Sequence, residues 1–289
     1  MSESQKNIDT NDCLNPARVA HELAESLMPK KANLRTSTTF VLAIAAGALI
    51  ALGAQVSLSV MTGTEAISWG IAKLLGAMIF STGLIMVSLT GAELFTGNVM
   101  MTFAVINHKI SFWRLLRNWS LVFVGNMIGA IIVAILIYYS GCSHNSHEAL
   151  GVLGLSVTIP KVNLTFVEAF TRGILCNWLV CLAIWMAATS RHVIGKIFAI
   201  FFPIATFVAS GYEHSIANMY FLTNGLFIKT SPAIVAASGF TPDQLASLTA
   251  KSCIVHNLIP VTLGNIVGAM VFVVLLFWTA YLRDDKDKA

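Results

Sequence analysis

Hydrophobic positions gather along the chain into long stretches at residues 37–59, 67–90, 119–139, 164–188, 195–211 and 258–282. Each approaches the roughly 20 apolar residues that a helix needs to cross a bilayer. A shorter run at 215–228 follows the fifth stretch across a polar interruption, and 94–105 follows the second in the same way. Read as parts of interrupted crossings, they leave six predicted transmembrane helices. The expected class is an all-α polytopic membrane protein, with a membrane domain at 37–282, an N-terminal segment at 1–36 and a short tail at 283–289.

Composition removes the soluble alternatives. Apolar residues fill 56% of the 289 positions and charged ones 11%, against roughly a quarter charged in soluble domains. The net charge of +4 matters less than where the cations lie, because cytoplasmic flanks retain positive charge. With the N-terminus inside, inner segments hold thirteen: Lys6, Arg18, Lys30, Lys31, Arg35, Lys109, Arg114, Arg117, Arg191, Lys196, Arg283, Lys286 and Lys288. Outer segments hold three, Lys161, Lys229 and Lys251. Both termini are therefore expected on the cytoplasmic side of the inner membrane. The first 36 residues contain no apolar core of a cleavable signal, so the first crossing is expected to direct insertion itself. Asn15 and Pro16, followed by Val19, Leu23 and Leu27, predict a capped amphipathic helix lying at the inner membrane surface or packing between subunits.

Five scattered cysteines, Cys13, Cys142, Cys176, Cys181 and Cys253, imply neither a disulfide framework nor a zinc pattern. Cys142, His144 and His147 have ligand-like types in an outer loop, where such residues usually face water. No metal or cofactor is expected, and no nucleic-acid partner.

Three strings recur in order between the halves. TFVLAIAAGAL from Thr39 matches TFVEAFTRGIL from Thr165, GAELFTGNVM from Gly91 matches GYEHSIANMY from Gly211, and GNMIGA from Gly125 matches GNIVGA from Gly264, at offsets of 126, 120 and 139. A duplicated set of three crossings must be inverted in the bilayer. The first and third strings read as close-packing faces, where glycines four apart let helices approach. Asn126 and Asn265 stand between structural glue and pore support, since a buried amide in lipid must find partners. The middle strings interrupt both apolar runs with Gly91, Glu93 and Asn98, and with Gly211, Glu213 and Asn218. Helices 2 and 5 are thus predicted to be broken, with both breaks facing one pore, because broken backbone at membrane depth survives only where it is buried or lines a watery cavity.

At these residues the chain resembles the formate/nitrite transporter family, from about residue 15 to 282, carried by GAELFTGN, CNWLVCLAIWM, ASGYEHSIANM and NLIPVTLGNIVG. The resemblance implies an aquaporin-like six-helix protomer in a homopentamer, passing formate, nitrite or hydrosulfide. It also implies Thr96 as a polar gate with Phe95 beside it, Phe80, Leu84 and Phe207 as apolar constrictions, and His214 as the central histidine. Lys161 matches a vestibule lysine and Asn177 a further contact. Glu93 and Glu213 are expected to turn inward onto the broken backbone, since an exposed carboxylate would repel an anion. Glu168 and Arg172, spaced i to i+4, suggest a structural ion pair, and Lys73 near a helix end suggests snorkelling.

Other classes fare less well. A neutral-solute pore shares the inverted plan, but the paired NPA motifs of that family are absent. A hydrolase built on Ser210 and His214 lacks HExxH, GxSxG and any phosphate-binding glycine loop, so the chain is not expected to be an enzyme. Formate is the first expectation, with nitrite and hydrosulfide behind it.

Overall fold

The computed structural model describes residues 13–64 and 66–283. The first twelve residues of the N-terminal segment and the tail beyond Arg283 lie outside the described residues, as do Lys6, Lys286 and Lys288. Asn15 caps α1 (Pro16–Glu22) by accepting from the Arg18 N–H, with Pro16 at the first turn, as expected of the Asn-Pro pair. A wider turn (Leu23–Leu27) carries it into α2 (Met28–Ala32). There follow α3 (Thr36–Met61), α4 (Trp69–Thr90), the short α5 (Phe95–Asn98) and α6 (Thr102–Ile106), α7 (Phe112–Tyr139), α8 (Ala149–Val162), α9 (Phe166–Thr189), α10 (Val193–Ala209) and α11 (Ser215–Ile228). Two small helices, α12 (Pro232–Ser238) and α13 (Pro242–Ser247), precede a last long run through α14 (Ala250–Ser252), α15 (Ile259–Ala269) and α16 (Leu276–Tyr281).

Among the described residues, five helices are long and apolar enough to cross a membrane: α3, α4, α7, α9 and the run Ala250–Tyr281. The remaining predicted stretch is carried by α10, of 17 residues, and α11, of 14. Sequence reading overlooked α8, whose 14 residues are too few to span and end at a proline turn carrying Lys161.

The N-terminal helix differs from its expectation. Val19, Ala20, Leu23 and Ala24 are fully buried, and α1 packs on α9 and α16 within the same chain. Most of its apolar face is covered by protein of the same chain, with only Leu27 left exposed.

Close helix pairs form the scaffold. α3 packs along α7 and α9 along α15, and a methyl group on Gly129 or Gly268 would collide with the carbonyl of Ile44 or Ile174. The small-residue strings therefore do what close packing in lipid requires. The surface is apolar, with Val41, Leu136, Phe198 and Phe202 more than half exposed, whereas Asn126, Asn177 and Asn265 are fully buried. This inside-out distribution suits a lipid solvent, and it concentrates polar chemistry at the centre. At the far loop, His144 lies 3.5 Å from Glu148, and no cluster of three metal-ligating side chains occurs among the described residues.

Candidate functional site

Helix α4 ends because Gly91 adopts φ +71°, and the chain after α10 turns at Gly211 with φ +72°, a left-handed conformation that glycine adopts without steric cost. Three extended residues follow each glycine before α5 or α11 begins. Each break needs partners for its exposed backbone, and one asparagine supplies them in each case. Asn126 Nδ2 donates to Ala43 O at 2.7 Å and Glu93 O at 2.9 Å, and its Oδ1 accepts from Phe95 N–H at 3.0 Å. Asn265 Nδ2 donates to Gly173 O at 2.8 Å and Glu213 O at 2.9 Å, and its Oδ1 accepts from Ser215 N–H at 2.9 Å. Both amides are thus support for the breaks, buried and satisfied.

The carboxylates behave alike. Glu93 accepts from Lys31 Nζ at 2.9 Å and from Asn98 Nδ2 at 2.6 Å, and Asn98 also donates to Asn118 Oδ1 at 2.9 Å. Glu213 accepts from Lys161 Nζ at 2.7 Å, Asn218 Nδ2 at 2.6 Å and Asn257 Nδ2 at 3.2 Å, and Asn218 donates to Asn257 Oδ1 at 2.8 Å. Both acids turn inward as expected, but they bind a lysine and side-chain amides, not the broken backbone. Lys31, Asn118 and Asn257 escaped sequence reading. The strings KANL from Lys31 and KVNL from Lys161, and the asparagines eight residues before Asn126 and Asn265, were the available signals.

The hydrogen bonds also revise one register. Glu93 N–H donates to Leu42 O and Glu213 N–H to Arg172 O, so corresponding residues of α3 and α9 are 130 apart, not 126. The shift of four residues is about one helical turn, which keeps the same face and similar small residues in line.

His214 links the two breaks. It is the N-cap of α11, its Nδ1 accepting from Ala217 N–H at 3.1 Å. In the neutral ring Nε2 then carries the hydrogen, and it lies 2.9 Å from Thr96 Oγ1. Thr96 O accepts from Asn177 Nδ2 at 3.1 Å, and Asn177 Nδ2 also donates to Asn265 O at 2.8 Å. Thr96 is therefore the direct partner of His214 at the centre. Asn177 is fully buried and holds backbone, and it lines neither of the two spaces around His214. Phe95 points elsewhere too: its ring packs edge-on against Trp119 and Phe123, with centroids 5.9 and 5.1 Å apart.

A cavity of about 260 Å³ opens onto His214 and is lined by Phe80, Phe207, Lys73, Lys161, Arg172, Glu213 and Phe221. A second space of about 10 Å³, enough for roughly one water, lies among Ile50, Phe80, Leu84, Leu94, Ile204, Phe207 and His214. Phe80 and Phe207 meet edge-on at 5.8 Å, and Phe207 stacks on His214 at 5.8 Å. The two phenyl rings thus border both spaces, with Leu84 on the narrow side. Two expectations change here. Lys161 lines the cavity while paired with Glu213, and Lys73 lines it too instead of only flanking a helix end. The Glu168 carboxylate caps α9 through Thr165, and Arg172 attracts it without reaching ion-pair distance. Ser210 is exposed, and both ring nitrogens of His214 are engaged elsewhere, so no nucleophile and base are assembled.

Comparison with known proteins finds relatives that match nearly the whole chain. Formate channel FocA of Escherichia coli K12 is 40% identical over 276 residues, covering 95% of this chain and 96% of that protein. A solved pentameric formate channel with formate bound superposes with a TM-score of 0.78 at 39% identity, covering 86% of this chain and 98% of that one. An FNT family ion channel gives a TM-score of 0.71 at 31% identity, covering 92% and 95%. The formate/nitrite transporter description matches residues 18–279, and the chain belongs to that family.

Proposed function

We propose that this protein is a membrane channel for small monovalent anions, formate foremost. The carrying observation is that His214, hydrogen-bonded behind to Thr96, lines a cavity bordered by cations. An arriving carboxylate can take the place of Thr96 Oγ1 as acceptor of the His214 Nε2–H. Beyond this pair the rings of Phe80 and Phe207, with Leu84, form the apolar constriction. Stripping a bare anion of water there costs several kcal/mol or more. Sharing a proton with His214 lowers the charge that must pass, which favours the conjugate base of a weak acid. Asn177 acts in this scheme by fixing the Thr96 carbonyl, and Phe95 by anchoring its break to α7.

The architecture we propose is six crossings in two inverted three-helix repeats, aquaporin-like. The second crossing is α4 with α5 and α6, and the fifth is α10 with α11. Support comes from the matched Asn126 and Asn265 brackets, the matched Lys–Glu–Asn sets, and the meeting of the breaks at one hydrogen bond. Residues 37–282 are then the channel domain, and the lysine and arginine bias puts both termini in the cytoplasm. A homopentamer in the inner membrane follows from the likeness to a pentameric channel and from the extensive apolar surface.

Flux into proteoliposomes of formate, nitrite, hydrosulfide and glycerol, compared across a pH range, tests the reading. Formate should move fastest, more so as pH falls, with glycerol at the rate of empty vesicles. Formate no faster than through empty vesicles would sink it; nitrite or hydrosulfide ahead of formate would move the substrate within the family.

A further inference from the structure

Four charged side chains line the larger cavity: Lys73, Lys161, Arg172 and Glu213. They are not equivalent. Lys161 and Glu213 neutralise each other across 2.7 Å, and the Lys161 ammonium also lies 5.5 Å from the Phe221 ring centroid. Lys73 and Arg172 are both half-buried and make no ion pair or side-chain hydrogen bond among the described residues. The cavity therefore holds two cations with no partner in contact, within a low-dielectric wall where charge acts more strongly than in open water.

Resting on the anion-channel reading above, we infer that Arg172 and Lys73 form an anion-capture subsite, which holds a monovalent carboxylate before it reaches His214. Two further observations support this assignment. The Arg172 backbone carbonyl accepts the Glu213 N–H at 3.3 Å, so the main chain that carries this cavity-lining side chain is held against the break, at the residue before His214. A guanidinium presents a planar fork of N–H donors that fits a carboxylate in two-point contact. The cavity volume of about 260 Å³ also exceeds what three heavy atoms of formate fill, leaving room for a waiting position apart from His214. At the other break the residue in the place of Arg172 is Leu42, whose carbonyl accepts the Glu93 N–H. The subsite belongs to one mouth only. Lys161, by contrast, is a structural partner of Glu213, and capture does not rest on it.

The experiment compares full-length wild type, Arg172→Leu, Arg172→Lys and Lys73→Met in proteoliposomes, measuring initial formate flux against formate concentration at low and high salt. Arg172→Leu should raise the half-saturating concentration about fivefold with little change in maximal flux, and flatten the salt dependence. Lys73→Met should do so in smaller degree, and Arg172→Lys should recover part of the loss. A half-saturating concentration unchanged in both Arg172→Leu and Lys73→Met overturns the subsite. Wild-type flux no greater than in empty vesicles would instead count against formate as substrate. The subsite is then decided by anomalous scattering from bromide soaked into crystals. A peak against Arg172 and Lys73 that disappears in Arg172→Leu supports it, and no peak there overturns it.

Discussion

The Gly91 and Gly211 breaks are built from the same parts and do different work. Each has a left-handed glycine, a carboxylate two residues later, a lysine from the end of a short helix, and three asparagines around the bend. The differences fall on a handful of positions. Leu94 starts α5 without a side-chain cap, whereas His214 caps α11. Thr96 offers a hydroxyl where the other break has Ile216, Phe95 packs into aromatic neighbours where the other has Ser215, and Leu42 stands where the other has Arg172. The lesson is that repeated structure carries the fold, and departures from the repeat carry the chemistry.

The likeness can be broken first at the lysines. Lys161→Met strands Glu213, which is nearly buried, and removing one partner of a buried pair costs roughly 3–5 kcal/mol. Lys31 is more exposed, with 32% of its side chain accessible against 14% for Lys161, so Lys31→Met should cost less, about 1–2 kcal/mol. Thermal unfolding of the detergent-solubilised protein would show the ranking, and equal losses would undo it. Next come the brackets. Asn126→Ala and Asn265→Ala each free two carbonyls and one N–H, and each should lose about 2–3 kcal/mol by the same assay; a mild effect at one and a severe effect at the other would mean the breaks are not equivalent. Smallest are Gly91→Ala and Gly211→Ala. No atom lies within 4 Å of the added methyl at either site, so each pays only the left-handed strain, about 1–2 kcal/mol.

Much of this plan was legible in the chain because interruptions in apolar runs are conspicuous, and a carboxylate at the same offset in both marks them as a pair. Gly125 and Gly264 signal close packing through spacing alone. What stayed hidden depends on atomic direction. Periodicity cannot tell whether the Phe95 ring faces a cavity or Phe123, or that the Asn177 amide is used on two carbonyls. A four-residue slip between α3 and α9 preserves their helical faces, so string matching accepted the wrong register. Lys31 was counted as a membrane-flanking charge and Lys73 as a snorkelling one, because a lysine near a helix end has the same sequence signature whether it meets headgroups, a buried glutamate or a cavity.

The central claim is that substrate passes where the two breaks meet, with His214 sharing a proton. His214→Asn isolates that role, since asparagine is a good N-cap and can accept the Ala217 N–H without titrating. Initial formate flux in liposomes, measured from about pH 5 to pH 8, should fall by roughly tenfold or more and lose the rise toward low pH expected of the wild type. Flux unchanged in both rate and pH dependence would contradict the account.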